Sequence, residues 1–193
     1  MALAEPIRVA RLVADQLERQ NIPYAVVGSL ASSAYGIPRS TQDVDIVAAV
    51  HHDDVEVFVS GLEQDFYVSR PMIAEAIENH SSFNVIHLDT MLKVDVFVVP
   101  ESGLAGNELE RAETCVFESV ENTELEVASA EDVLVRKLEW YRSGGEVSEQ
   151  QWNDIIGIIE VEGERLDWDY MEWLAAKLGV EDLLSKARGE AET

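Results

Sequence analysis

The chain has 193 residues, of which 47% are hydrophobic, and its 38 acidic residues against 14 Lys and Arg give a formal net charge of −24. Its length and apolar content suit one globular core with a small helical appendage, and they exclude a disordered or fibrous chain. Because so acidic a surface repels phosphate backbones, extended binding to a long nucleic acid is excluded as well.

The first residues and the cysteine content bear on the compartment. The chain does not open with a basic region followed by an apolar stretch, and no apolar run approaches the ~18–20 residues of a membrane span. The single cysteine, Cys115, has no internal disulfide partner and lies in a strand-like run, which favours a small buried hydrophobe over a nucleophile. We therefore expect a cytoplasmic protein with no membrane association.

The first 50 residues predict a helix, a strand, a short helix and a second strand. Apolar residues at helical spacing predict the first helix over residues 4–20. The apolar run at residues 24–27 predicts a buried strand that stops at Gly28 and turns into a helix over residues 30–35. Residues 43–50 alternate and then become wholly apolar, which is typical of a central strand.

The middle of the chain predicts two more helices and two pairs of strands. Helical periodicity and two-residue alternation distinguish the two kinds of element. The helices are expected at residues 52–63 and 71–79, a hairpin at 82–88 and 93–99, and a second strand pair at 115–120 and 124–128.

After residue 128 the pattern becomes wholly helical. Ser129 opens a capping-box-like turn before a helix to about Tyr141, and Ser148 caps a second helix. Residues 168–187 predict one or two more helices, and the four tryptophans of this part favour packing over ligand stacking.

Together these elements predict an α/β, or α+β, fold. Its core covers residues 1–128 and has a mixed central sheet flanked by helices, and residues 129–193 form a C-terminal helical segment.

Two predicted strands carry acidic side chains in apolar surroundings. In Asp43-Val44-Asp45 the two aspartates point to the same face of the strand. Adjacent carboxylates repel each other and resist desolvation, so a cation between them is expected. Asp95 is the one acid in a second apolar strand, and if the two strands are neighbours, the three carboxylates converge. Hard oxygen ligands in that number suit Mg²⁺ or Mn²⁺.

Residues upstream of the acidic pair suit a phosphate group. Gly28 ends a strand before a helix, where backbone N–H groups can approach an anion, and Ser29 adds a hydroxyl or simply caps the helix. Arg39 and Thr41 offer a cation and a hydroxyl to the same triphosphate, although Arg39 could instead pair with an acid. An exposed strand end is the ordinary alternative for the aspartates, and these neighbours make it less favoured.

These residues resemble the signature of the DNA polymerase beta superfamily of nucleotidyltransferases. That signature is Gly-Gly or Gly-Ser after an apolar residue, a spacer, Asp-apolar-Asp or Asp-apolar-Glu, and an Asp on a later strand. Downstream residues resemble small members related to aminoglycoside nucleotidyltransferases, minimal nucleotidyltransferases and abortive-infection toxin transferases. The matching positions are Gly28, Ser29, Asp43, Asp45 and Asp95, and more loosely Gly36, Arg39, Thr41 and residues 128–138.

The resemblance implies a nucleotidyltransferase-type fold, a reaction and a set of roles. A nucleoside monophosphate would move from a nucleoside triphosphate, with ATP expected, to a hydroxyl acceptor, releasing pyrophosphate. Asp43 and Asp45 would bind the metal ions, and Asp95 would share one and activate the acceptor hydroxyl. The remaining roles concern the nucleotide: Gly28 and Ser29 would hold the β- and γ-phosphates, with Arg39 and Thr41 nearby, Lys137 would contact a phosphate, and Asp154 would orient the helix pair.

Several alternatives stay open on the sequence. The acceptor could be a tRNA, a protein or a small molecule, and the role could be that of a toxin with a cognate antitoxin. A catalytically silent nucleotide-binding or protein-interaction module of the same fold is the rival function. The Trp-bearing helices could form a homodimer face, and the stem of Lys137 could simply pack while its charge meets Glu131 or Asp132.

Overall fold

The computed structural model describes residues 3–191, which form two compact units. The first unit comprises the residues up to Leu30 and Ser40–Ala128, and the second comprises Ala31–Arg39 and the residues from Ser129 onward. One boundary between the units thus follows Ala128. Residues 31–39, which the sequence placed in the catalytic core, group with the C-terminal helices.

Seven strands of the described residues form one mixed sheet in the first unit. They are β1 (Tyr24–Val27), β2 (Asp43–Ala48), β3 (Phe66–Tyr67), β4 (Ser82–His87), β5 (Lys93–Val98), β6 (Glu113–Phe117) and β7 (Thr123–Val127). Their order is β3-β4-β5-β2-β1-β7-β6. The β2–β5 and β1–β7 pairs are parallel and the other pairs are antiparallel. The mixed sheet confirms the predicted fold class.

Alternation along β2 and β5 separates a buried face from a more open one. Every second side chain of these strands is fully or almost fully buried: Val44, Ile46 and Ala48 on β2, and Val94, Val96 and Val98 on β5. The positions between them are exposed or half-buried. Since residues two apart share a face, the aspartates of both strands lie on the open face.

The first unit also contains helices, the first of which buries a complete apolar stripe. The helices that begin in this unit are α1 (Ala4–Arg19), α2 (Gly28–Tyr35), α3 (Val55–Leu62), α4 (Arg70–Asn79) and α5 (Gly103–Glu110). The apolar stripe of α1 is fully buried, as its spacing predicted, and consists of Ile7, Ala10, Val13, Ala14 and Leu17. The α1 helix packs against β7 and α3, and α4 packs against β4.

The second unit is helical, as predicted. It contains α6 (Ala130–Ser143), α7 (Glu149–Glu162), α8 (Trp168–Leu178) and α9 (Glu181–Ala191). Ser129 and Ser148 accept hydrogen bonds from backbone N–H groups of α6 and α7, so both predicted caps are confirmed. Trp152 packs beside Tyr141, with ring centroids 5.2 Å apart, and the ammonium of Lys186 lies 4.5 Å from its ring centroid.

Two elements were missed on the sequence, β3 and α5. The β3 strand has only two residues, too few for any periodicity. The α5 helix begins at Gly103, where φ is +77°, and contains Gly106, and glycine is a poor helix former. No helix in residues 3–191 is long and apolar enough to cross a membrane.

Candidate active site

The three aspartates lie on neighbouring strands and on the same face of the sheet. The β2 and β5 strands pair in parallel, with Asp45 opposite Asp95 and Asp43 opposite Lys93. Val44 and Val94, one residue away from these positions, are fully buried on the other face. The strand pairing on which the predicted convergence depended is therefore present, and it adds Lys93 to the cluster.

Lys93 forms an ion pair within this acidic face. Its Nζ lies 2.6 Å from Oδ2 of Asp95, and the side chains are 45% and 19% exposed. The hydrogen bond to Asp95 raises the pKa of Lys93 above its usual value, and the negative charges of Asp43 and Asp45 add to this effect. The ammonium is thus attracted by all three carboxylates.

Asp43 is held by the residue two positions before it. The Thr41 hydroxyl lies 2.9 Å from Oδ1 of Asp43 and 3.0 Å from its backbone oxygen, so one hydroxyl orients both groups. This is the local pattern in which a short polar side chain bonds to nearby groups outside helices and sheets. Thr41 thus contacts a predicted metal ligand, and its contact with a nucleotide stays a prediction.

Gly28 lies directly beside Asp45 at the end of β1. Val27 is paired with Asp45 across the β1–β2 ladder, and Gly28, the next residue, has φ of +66° and begins α2. A Cβ atom at position 28 would lie 2.1 Å from Oδ2 of Asp45. Glycine is therefore favoured for two reasons: the left-handed backbone conformation, and the room that it leaves for the carboxylate in its present position.

The donor atoms of this face suit a hard divalent cation, although the side chains do not form a complete ligand set as they stand. Among residues 3–191, no three Asp, Glu, His or Cys side chains are grouped closely enough to hold a metal ion. Oδ2 of Asp95 contacts the ammonium of Lys93. The acidic face nevertheless attracts a cation, and oxygen ligands are those that Mg²⁺ and Mn²⁺ prefer.

Arg39 and Lys137, two predicted nucleotide ligands, meet at Asp154 in the second unit. Both Nε and Nη2 of Arg39 donate to Asp154 at 2.8 Å, and Nζ of Lys137 lies 2.8 Å from Oδ2 of the same carboxylate. The Lys137 and Asp154 side chains are only 5% and 7% exposed. Asp154 thus joins α6, α7 and the segment after α2, as a forked and charge-assisted pair can.

The protonation of Asp154 follows from these contacts. Burial acts to raise its pKa, but the hydrogen bonds from Arg39 and Lys137 outweigh burial, so the pKa of Asp154 lies below its ordinary value of 3.8. The carboxylate is therefore charged at neutral pH. For Arg39, the ion pair that the sequence left open as an alternative is present, and contact of Arg39 or Lys137 with a nucleotide stays a prediction.

Two features of the site were missed on the sequence. Lys93 precedes Asp95 by two residues in a strand, so alternation already places both side chains on one face and could have indicated the pair. The role of Thr41 in holding Asp43 follows from the same short separation. No local pattern in the sequence indicated that Arg39 and Lys137 both bind Asp154.

Comparisons of the sequence with protein-family profiles and with curated proteins found no match. Comparison of the fold with solved structures found several similar proteins. One is an antigenic nucleotidyltransferase-like protein from Paracoccidioides brasiliensis, 21% identical, with a TM-score of 0.55 over 94% of this chain and 90% of that one.

Two further similar structures are antibiotic-modifying proteins. ANT(2'')-Ia in complex with adenylyl-2''-tobramycin is 13% identical, with a TM-score of 0.61 over 90% of this chain and 97% of that one. The lincosamide antibiotic adenylyltransferase LnuA, with bound lincomycin, is 14% identical, with a TM-score of 0.50 over 76% of this chain and 92% of that one. The architecture of the chain is therefore the nucleotidyltransferase fold.

Proposed function

We propose that the protein is a nucleotidyltransferase that moves a nucleoside monophosphate from a nucleoside triphosphate to a hydroxyl group and releases pyrophosphate. One observation carries this proposal: the parallel β2–β5 pairing sets Asp45 opposite Asp95, with Asp43 on the same face. An acidic face of this kind on a nucleotidyltransferase fold suits this transfer, because it can hold the metal cations that stabilise the negative charge developing on the phosphate oxygens.

Asp43, Asp45 and Asp95 would hold Mg²⁺ or Mn²⁺ in this proposal. When bound, such ions stabilise the negative charge on the attacking and leaving oxygens of the reaction. The protein prepares the ligands in two ways, since Thr41 orients the carboxylate of Asp43 and the missing side chain of Gly28 leaves room for that of Asp45. Ligands held in place by neighbours bind metal more tightly than free ones.

The other parts of the reaction fall to groups near the same face. Asp95 would accept the proton of the attacking hydroxyl, because a carboxylate can act as a general base at neutral pH. The N-terminus of α2, at Gly28 and Ser29, would face the phosphates, since backbone N–H groups and the helix dipole favour anions there.

The net charge of the chain and the similar structures favour one nucleotide donor and one class of acceptor. We propose ATP as the donor, since an adenylylated antibiotic is bound to ANT(2'')-Ia and LnuA is an adenylyltransferase. The net charge of −24 favours a neutral or cationic small molecule over a polyanion as the acceptor. The same reaction could instead serve as the activity of a toxin that is paired with an antitoxin. Transfer to a tRNA or to a protein would support this role.

Labelled nucleotides test the reaction directly. The purified protein would be incubated with Mg²⁺ and each α-labelled nucleoside triphosphate, once with cell extract and once with hydroxyl-bearing cationic small molecules. We expect label on an acceptor together with pyrophosphate, and neither product with Asp43→Ala.

Two other results would change the proposal. If no label moves and Mg²⁺ with nucleotide fails to raise the melting temperature, the enzymatic function is wrong. If nucleotide binds with Mg²⁺ but no acceptor is labelled, the catalytically silent module replaces it.

A further inference from the structure

Lys93 has no assigned part in the proposed reaction, yet it lies among the residues that would perform it. It precedes Asp95 by two residues on β5, so their side chains share a face. It also stands opposite Asp43, as Asp95 stands opposite Asp45. Three negative side chains and one positive side chain therefore form two facing pairs on one surface of the sheet.

The ammonium of Lys93 is the positive charge that these carboxylates share. Its Nζ lies 2.6 Å from Oδ2 of Asp95, within hydrogen-bond distance. Carboxylates on adjacent strands repel one another, and a nearby opposite charge relieves this repulsion. Lysines are scarce in the chain, which has 14 Lys and Arg in all against 38 acids, so a lysine at this position stands out.

A divalent cation and this ammonium compete for the same oxygen. A metal ion that binds Oδ2 of Asp95 has to replace the ammonium of Lys93 there and is repelled by its positive charge. The Lys93 side chain is 45% exposed and has a flexible four-carbon stem, so its ammonium can move into water. Partly exposed ion pairs are weak, so a divalent ion with several carboxylate ligands can displace it.

We propose that Lys93 is a built-in counter-ion of the acidic face, which occupies Asp95 without metal and gives way when a divalent cation binds. Lys93 thereby sets the metal concentration at which the site fills. This inference rests on the proposed function, since it takes Asp43, Asp45 and Asp95 as the metal ligands. Lys93 is a positioning residue here, because it acts through Asp95.

Direct Mn²⁺ binding tests the inference without an activity assay. Free Mn²⁺ would be measured by electron paramagnetic resonance at about 0.15 M KCl, where the Debye length of ~8 Å screens the remaining surface charge. We expect Lys93→Met to lower the Kd for Mn²⁺ about fivefold, the size that loss of a partly exposed ion pair allows. Lys93→Arg, which keeps the charge, should bind Mn²⁺ no more tightly than the wild type.

Lys177→Met is the matched control, because it removes the same charge from helix α8 of the same acidic chain. It should leave the Kd unchanged, so a general effect of net charge is separated from a local one. Asp45→Asn identifies the site, since it should abolish the saturable binding. Without Mn²⁺, Lys93→Met should have a lower melting temperature than the wild type, because the carboxylates have lost their counter-ion. Added Mn²⁺ should raise the melting temperature of Lys93→Met by more than it raises that of the wild type.

The outcomes separate the two proposals. If the wild type has no saturable Mn²⁺ site that Asp45→Asn removes, the proposed function itself is contradicted. If that site exists but Lys93→Met and a second neutral variant, Lys93→Gln, bind Mn²⁺ equally or more weakly, the role of Lys93 is overturned and the proposed function stands.

Discussion

The two units each contain a cluster of opposite charges, and the clusters differ in both sign and exposure. On the sheet face of the first unit, three aspartates share one lysine that is 45% exposed. In the second unit, one aspartate holds Arg39 and Lys137, and Asp154 and Lys137 are 7% and 5% exposed. We refer to these as the acidic face and the Asp154 cluster.

The difference favours the acidic face over the Asp154 cluster as the place where the proposed ligand would bind. The acidic face has unbalanced negative charge that solvent ions can reach, so it gains free energy when a cation binds. The Asp154 cluster has charged groups taken out of water, where the loss of one partner strongly destabilises the fold. Excess charge that solvent can reach suits ligand binding, whereas a buried ion pair such as Asp154–Lys137 suits a structural role.

The largest expected effect comes from Asp45→Asn on the acidic face. Removing one carboxylate ligand should lower the transfer rate about a thousandfold, because the charge that binds the metal is lost. The melting temperature should stay the same or rise, since one of three mutually repelling charges has been removed. Single-turnover transfer and thermal melting measure the two quantities, and a strongly lowered melting temperature would assign the acidic face a structural role.

Asp154→Asn should have the opposite profile. We expect the free energy of unfolding to fall by about 3 kcal/mol, because the buried Lys137 loses the carboxylate that faces it. Urea unfolding measures this loss. The double variant Asp154→Leu with Lys137→Met replaces the buried pair by apolar groups and should recover much of this loss, because the remaining cation, Arg39, is 26% exposed. An unchanged free energy in Asp154→Asn would contradict the structural role.

Gly28→Ala tests the contact between the backbone and the acidic face. The φ of +66° disfavours any side chain, and the new Cβ would lie 2.1 Å from Oδ2 of Asp45, so the carboxylate has to move. We expect the free energy of unfolding to fall by about 2 kcal/mol and the Kd for Mn²⁺ to rise. Gly145→Ala is the control, because Gly145 has φ of +79° and nothing lies within 4 Å of the added Cβ. This variant should have a lower free energy of unfolding and an unchanged Kd for Mn²⁺.

The smallest expected effect is on how the free energy of unfolding decreases at acidic pH. Because the pKa of Asp154 is lowered in the folded protein, its contribution is complete above its unfolded pKa of about 3.9 and is lost as pH falls through the folded value. Wild-type stability should therefore fall more steeply with acid than that of Asp154→Asn. Urea unfolding between about pH 5 and pH 2 measures this difference, and parallel curves would contradict the lowered pKa.

The acidic face was largely predictable from local patterns, whereas Asp154 was indicated only by the family resemblance and its pairing with Arg39 and Lys137 was not predicted. Asp43 and Asp45 share a face because they are two residues apart, and the same alternation applies to Lys93 and Asp95. Arg39 and Asp154 lie 115 residues apart in sequence, so no local period links them. The sequence accordingly assigned Arg39 and Lys137 to a nucleotide, and the structure shows what else they bind.

The amino-acid sequence by itself determined most helices and strands, both serine caps, and the face on which each strand carries its charges. These features depend on periods of 2 and 3.6 residues and on the chemistry of single positions. Only the tertiary structure decided that β5 lies beside β2, that Asp45 stands opposite Asp95, and that the ammonium of Lys93 contacts Oδ2 of Asp95. Strand order and ion-pair choice depend on packing summed over the whole chain, and that sum cannot be read from any one segment.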